Sequence, residues 1–216
     1  MKITGISIWH VDLTSHKTYY MSDGKTCDTV ESVVVRLDTD AGIAGWGEHC
    51  VIPHYLPSFS RGIAPAITEM APEILGHNPM GAPAFMHRLD KWLIGHDAAK
   101  SAVDMALWDI NAKVAGQPLY NLLGGKFADA IPTYHSITCI EPEEMVEIAK
   151  EAYASGIRQF QCKLGADKQW EKTLLGSGRF ARPWATDRWS TVTGTAAQTS
   201  STPFVSGGQL PISTSC

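Results

Sequence analysis

Apolar and polar residues alternate from Ile3 to Leu13 and again from Val30 to Asp38, where V-E-S-V-V-V-R-L-D is rich in β-branched residues, so both stretches read as strands. Gly42 to Glu48 follows a D-A-G turn and reads as a third strand, completing an antiparallel meander. Between the first two, TSHKTYYMSDGKTCDT is polar and aromatic, carries a D-G turn and reads as a loop longer than a hairpin requires. The period changes to helical from Pro65 to Lys113, with Gly and Pro punctuation at Leu75-Gly76 and from Asn78 to Pro83. Ala99, Ala102, Val103, Ala106, Leu107 and Ile110 then lie on one helix, which Asp97 is placed to cap and Gly116 with Pro118 to end. Trp46 and Trp108 are assigned to the core. Ile131–Thr138 reads as a strand, Pro142–Ser155 as a helix and Ile157–Leu164 as a strand, the β-α-β order that opens a parallel array.

Beyond about Lys172 the pattern stops. Thr173 to Cys216 holds fifteen Ser or Thr in 44 residues, a single acidic residue (Asp187) and no lysine, and neither period is sustained there. A Ser/Thr linker is the plain assignment, but Phe180, Trp184, Trp189 and Phe204 are unusual in one.

Charge narrows the function classes. A net charge of -4 creates no basic field, which argues against nucleic acid and an anionic membrane surface as partners and in favour of a small ligand. The five cysteines are scattered and lack CxxC spacing, so the sequence suggests neither a disulfide framework nor a zinc site. The start, MKITGISIWHVDLTS, has no cationic residues followed by a long apolar run, so a cytoplasmic location is expected.

Three segments carry a family resemblance: A-G-I-A-G-W-G-E (Ala41 to Glu48), the long stretch Ala98 to Gly125 ending L-L-G-G, and F-Q-C-K-L-G (Phe160 to Gly165). Together they resemble the enolase superfamily, of the mandelate racemase/muconate lactonizing enzyme type, over residues 1 to about 171. The resemblance implies an α+β capping domain, a three-stranded antiparallel meander plus helices, at 1–126. The first βαβ part of an incomplete TIM-type (β/α)7β barrel would follow at 127–172, with active sites at the C-terminal mouth. The tail, 173–216, has no counterpart in that pattern.

The chemistry implied is removal of the proton α to a carboxylate, with a positioned base and Mg2+ to hold the enediolate charge. Lys163, at the C-terminal end of the second barrel strand, is the candidate base. A lysine there can have its pKa lowered by desolvation and neighbouring positive charge, although an isolated strand-end lysine is ordinarily just solvated. Many relatives carry K-x-K where this chain has Gln161-Cys162-Lys163. The neutral amide removes one positive charge beside Lys163 and resembles the branch acting on proline derivatives, such as cis-3-hydroxy-L-proline dehydratases and proline-betaine epimerases. In that branch cap loops contact substrate, which singles out Tyr19, Tyr20, Met21, His54 and Tyr55. An aromatic wall suits a cyclic or quaternary ammonium ligand through cation–π contact, while simple cap packing explains any one of these residues equally well. His135 and Ser136, near the end of the first barrel strand, are further candidates to touch substrate. Glu48 and His49, adjacent on a strand, face opposite sides and are not a metal pair, while Asp104 and Asp109 read as helix-surface or packing groups.

By the same resemblance the metal ligands are carboxylates at the ends of the third to fifth barrel strands, and no residue of this chain matches them. Plausible codons read from the third base of the Lys172 codon spell DVARIRAVREAVGDRPLVYGDWNCGA. This string has helical periodicity, a G-D turn, then a segment resembling the third barrel strand with its ligand aspartate. The expectation is therefore a one-base loss near codon 172, an out-of-frame tail and a chain without turnover. The intact parent is expected to be a lyase or isomerase that needs Mg2+, takes a small-molecule carboxylate and forms homo-oligomers. The alternatives are an acid-sugar dehydratase or dipeptide epimerase on the same scaffold, or a non-catalytic fragment that associates with intact subunits.

Overall fold

The computed structural model describes residues 1–21, 25–53, 55–56, 58–138, 140–163 and 191–195. Strands β1 (Ile3–Tyr20), β2 (Thr26–Thr39) and β3 (Ala44–Val51) form one sheet in that order. Helices α1 (Ser60–Ile74), α2 (Ala82–Trp92), α3 (Asp97–Ala115) and the short α4 (Leu119–Leu122) follow. A second sheet holds β4 (Tyr134–Ile137), β5 (Gln159–Lys163) and β6 (Thr191–Thr195), with α5 (Pro142–Ala154) between its first two strands. Met1–Ser15 and Thr29–Asp129 make one compact unit; His16–Asp28 and the described residues from Ala130 onward make another.

The first unit is organised by the β2–β3 pairing, antiparallel from Glu31↔Val51 to Asp38↔Ala44. Alternation turns Val33, Val35 and Leu37 inward, each fully buried against Ile63, Ile67, Met70 and Ile74 of α1 and Val103, Leu107 and Ile110 of α3. The G-W-G of β3 sets how close α3 can come. A Cβ on Gly47 would lie 1.9 Å from the Ala102 carbonyl oxygen, and one on Gly45 2.1 Å from that of Ala106. Only hydrogen fits at either position, and the small Ala102 and Ala106 opposite them are fully buried.

The same glycines explain where Trp46 goes. It is not core, as the sequence suggested, but 45% exposed, because the residues on either side of it occupy the helix-facing positions. On the outer face it stacks on Trp9, ring centroids 5.5 Å apart, and lies under the guanidinium of Arg36, which pairs with Asp38 at 2.6 Å. Trp108 packs against the core while only partly buried. Asp109 is a packing group: its carboxylate accepts from the Trp46 backbone N–H at 2.9 Å and from Lys113 at 2.6 Å, and Lys113 also donates to the Ala44 carbonyl. Asp104, also on α3, has its pKa raised by partial burial.

Two polar side chains lock α3 to the preceding helices. Buried Asn111 donates to the carbonyls of Pro79 (2.9 Å) and Leu107 (2.6 Å) and accepts from the Gly81 N–H (3.2 Å). The nearly buried Lys100 ammonium reaches Asp90 of α2 at 2.8 Å. Asp97 lies inside the first turn rather than at the cap. The preceding His96 holds that place in a left-handed conformation, φ 57°, without a side-chain cap.

Several boundaries differ from those read in the sequence. The segment assigned to a loop is strand up to Tyr20 and again from Thr26, because its Thr and Tyr residues suit a ladder as well as a loop. The D-G turn inside it lies outside the described residues. Helix α1 begins at Ser60 and runs through Pro65 and Pro72. In the second unit β4 and β5 are parallel, from Tyr134↔Gln159 to Ile137↔Cys162. Ile137, Phe160 and Cys162 pack on Met145, Ala149 and Ala152 of α5, whose N-terminus carries Pro142, Glu143 and Glu144. Thr191–Thr195 pairs parallel with β5, a strand that the lack of sustained period in the tail did not announce. Its T-V-T-G-T is β-branched at three of the four positions preceding the last threonine, enough for strand propensity over so short a run.

Gly47→Ala lowers stability by about 1–3 kcal/mol or more, because the helix backbone itself must shift. Gly5→Ala, whose added Cβ meets nothing nearer than 3.6 Å, stays within about 1 kcal/mol of wild type; urea midpoints compare the two. Burial pushes the Cys162 thiol up to about 12. The folded chain at pH 8 should therefore leave Cys162 unalkylated by iodoacetamide until denaturant is added. The folded thiol stays neutral while the unfolded one ionises, so its contribution to stability is whole below 9.0 and falls as pH rises from there towards about 12. Cys162→Ala should flatten that part of the stability profile.

Candidate functional site

The second unit presents one sheet face to α5 and keeps the other free of it. Alternation along β4 and β5 assigns Phe160 and Cys162 to the helix side, and with them Ile137. Ser136 and its register partner Gln161 fall on the opposite face, both half-buried, and position 163 lies on that same face at the C-terminal end of β5. His135 pairs in register with Phe160, so it belongs to the helix side, and the two neighbours that the sequence marks together as candidate substrate contacts face opposite ways. Adjacent strand residues cannot share a face.

The end of β1 joins this face. The Tyr19 hydroxyl and the Ser136 hydroxyl are hydrogen-bonded at 2.7 Å. The Thr138 hydroxyl donates to the Tyr20 carbonyl at 2.8 Å and accepts from the Tyr20 N–H at 2.5 Å. Met21 is 7% exposed, and its N–H donates to the Lys25 carbonyl at 2.8 Å, which closes the β1–β2 hairpin. Of the residues singled out in the sequence, Tyr19, Tyr20, Met21 and Gln161 thus share the second unit with Ser136. Tyr55, 66% exposed, belongs to the first unit, where its N–H bonds to the Ile52 carbonyl. His54 lies outside the described residues, and Lys163 is described only by its backbone. Sequence reasoning missed Thr138. A threonine at the end of a predicted strand carries no signal until a partner about a hundred residues earlier is placed beside it.

Glu48 and Cys50 sit on the outer face of β3 and turn to Ser32 of β2. Ser32 donates to Glu48 at 2.5 Å, and the Cys50 thiol lies 3.3 Å from the same carboxylate oxygen. The Ser32 hydrogen bond holds the Glu48 carboxyl below its ordinary value, while burial raises the Cys50 thiol, with the adjacent carboxylate adding to the effect. A protonated thiol donating to a carboxylate is a structural contact, not an activated nucleophile. Among the described residues no three His, Cys, Asp or Glu side chains come together in a way that could hold a metal ion. The described residues therefore do not fit Mg2+. Among them, too, no helix is long and apolar enough to cross a membrane.

Residues 3–124 match the family model for the mandelate racemase / muconate lactonizing enzyme N-terminal domain. A cis-3-hydroxy-L-proline dehydratase of Roseibium aggregatum is 37% identical over 169 residues, covering 77% of this chain and 46% of the relative. The solved L-Ala-D/L-Glu epimerase of Bacillus subtilis, a substrate-liganded complex, superposes with a TM-score of 0.82 at 29% identity, over 92% of this chain and 54% of that one. A mandelate racemase/muconate lactonizing enzyme from Roseovarius nubinhibens, complexed with magnesium, gives a TM-score of 0.79 at 31% identity, over 89% and 52%. The chain spans about half the length of the curated relatives it matches. Its relatives are dehydratases, racemases and epimerases of one superfamily. With the meander, the helical layer and the opening βαβ unit all in the same order as in these proteins, the chain belongs to the mandelate racemase/muconate lactonizing enzyme family of the enolase superfamily.

Proposed function

We propose that this chain is the capping and barrel-opening part of an enzyme that abstracts the proton α to a carboxylate and dehydrates or epimerises a proline derivative of the cis-3-hydroxy-L-proline type. The observation that carries this reading is Q-x-K on β5, with Gln161 on the face away from α5 and position 163 at the strand's C-terminal end. The similarity to the hydroxyproline dehydratase supports the substrate class. In this reading Lys163 acts as its neutral amine and takes the α-proton. A neutral Gln161 beside it supplies a hydrogen-bonding amide in place of a second positive charge. Tyr19, Tyr20 and Met21, in the same unit as Gln161, contribute aromatic and apolar contacts to the ligand, and by family resemblance His54 and Tyr55 are further substrate contacts. The whole protein is Mg2+-dependent, a reading that the magnesium complex of one relative supports, acts in the cytoplasm and forms homo-oligomers. Among the described residues no metal-holding cluster is formed; inactivity of the 216-residue chain belongs to this proposal and follows from the tail reading.

The tail reading completes the proposal: Thr173–Cys216 is an out-of-frame translation. With codons chosen among those the residues allow, the alternative frame can be read as Y-G-D-W-N across Ser190 to Thr195, where the chain runs as β6, third in the parallel sheet beside β5. That coincidence supports a lost third barrel strand at those codons. Sequencing the encoding DNA across codons 165 to 216 should find a single-base deletion near codon 172. An intact frame at the original source would overturn the tail reading.

Activity tests the rest. A frame-restored protein with Mg2+ is expected to dehydrate or epimerise proline derivatives, and Lys163→Ala to reduce the rate by about 100-fold to 10,000-fold with the fold intact. Turnover of acid sugars or dipeptides with none of proline derivatives would replace the substrate class. Cα–H exchange in D2O by the 216-residue chain itself would refute its inactivity.

A further inference from the structure

The residues of β1 that point to substrate in the sequence are already engaged. Tyr19 and Tyr20 are tied to Ser136 of β4 and to Thr138 just after it by three hydrogen bonds spanning 117 and 118 residues of chain, and Met21 is buried. We propose that Ser136 and Thr138 are positioning residues that hold the aromatic end of β1 against the C-terminal end of β4, beside the Gln161 face. The part this plays in a ligand pocket rests on the function proposed above; the positioning itself does not.

The two hydroxyls do different work. Thr138 uses one O–H donor and one lone pair to satisfy both backbone groups of Tyr20, so it substitutes for a neighbouring strand at the point where β1 ends. It fixes the backbone. The Ser136 hydroxyl bonds the Tyr19 hydroxyl, so it fixes a ring orientation. The register pair Ser136↔Gln161 sets that ring's anchor beside the Gln161 position of β5. Tyr20 keeps 43% of its surface exposed while its backbone is held, an aromatic face presented on a fixed support. An aromatic end ordered on folding loses less freedom when a ligand arrives, which is the physical basis of preorganisation.

Removing either hydroxyl should therefore loosen β1 locally without touching the first unit's core. The experiment is amide hydrogen exchange on the full 216-residue chain, read at Tyr20 and at Val33–Leu37, together with the 13Cζ resonance of ring-labelled Tyr19. Thr138→Val is expected to speed exchange at the Tyr20 amide about fivefold to tenfold with Val33–Leu37 unchanged, and Thr138→Ser to restore the wild-type rate. Ser136→Ala should move the Tyr19 13Cζ resonance towards that of free tyrosine, with less effect on the Tyr20 amide. If Thr138→Val unfolds the second unit, the Ser136→Ala resonance decides. An unchanged Tyr20 amide in a folded Thr138→Val chain, no rescue by serine, or an unmoved Tyr19 resonance overturns the proposal. None of these readouts involves turnover, so failure here leaves the proposed reaction standing, and failure of that reaction leaves the positioning role standing.

Discussion

The contact on which the first unit depends is the near-touching of β3 and α3, where the strand offers Gly45 and Gly47 and the helix offers the backbone at Ala102 and Ala106. Helix and sheet ordinarily pack through interlocking side chains. Here the spacing leaves no room for a strand Cβ, so α3 sits directly on the strand and the bulk of the core moves to either side. Val33, Val35 and Leu37 fill one flank, and α1 supplies Ile63, Ile67, Met70 and Ile74. Within A-G-I-A-G-W-G-E, Gly45 and Gly47 are thus a steric requirement set by a helix some sixty residues downstream.

That contact also redistributes the aromatic residues. Trp46 cannot face α3, so it is displaced to the outer face and satisfied there by Trp9 and Arg36. Asp109 and Lys113 brace the same junction through the backbone of β3, at Trp46 and Ala44. Charged residues on a long helix usually read as solvated decoration. These two are tied to a strand edge, and Asn111 and Lys100 tie the helix's other sides to the α1–α2 connection and to α2.

The second unit is built on a different principle. Its strands are parallel and covered by a helix on one face, and the end of β1 completes the other face through side-chain hydroxyls rather than through a sheet ladder. A residue such as Thr138 satisfies backbone groups of a distant strand without committing the chain to continuous pairing. The candidate chemistry, Gln161 and position 163, lies on β5, a regular element, while the aromatic residues beside it arrive on a strand end. Placing reactive groups on regular elements and adaptable contacts at their margins is a common division in barrels.

Much of this was determined by the sequence alone. The three-stranded meander, the long helix from Asp97 and the β-α-β order were legible because hydrophobic periodicity is local, and so was the family, through motifs whose spacing survives in the linear chain. Gln161 and Lys163 were singled out on the same kind of local motif. Tertiary structure decided the rest. The outward turn of Trp46 depends on two glycines meeting a helix that no local pattern predicts, and the extension of β1 to Tyr20 depends on a partner strand. The separation of His135 from Ser136 follows only once the register with β5 is set. The role of Thr138 exists solely because residues 118 apart are brought within hydrogen-bonding distance. Periodicity reports which way a side chain faces relative to its own element; what it meets there is a property of the folded chain.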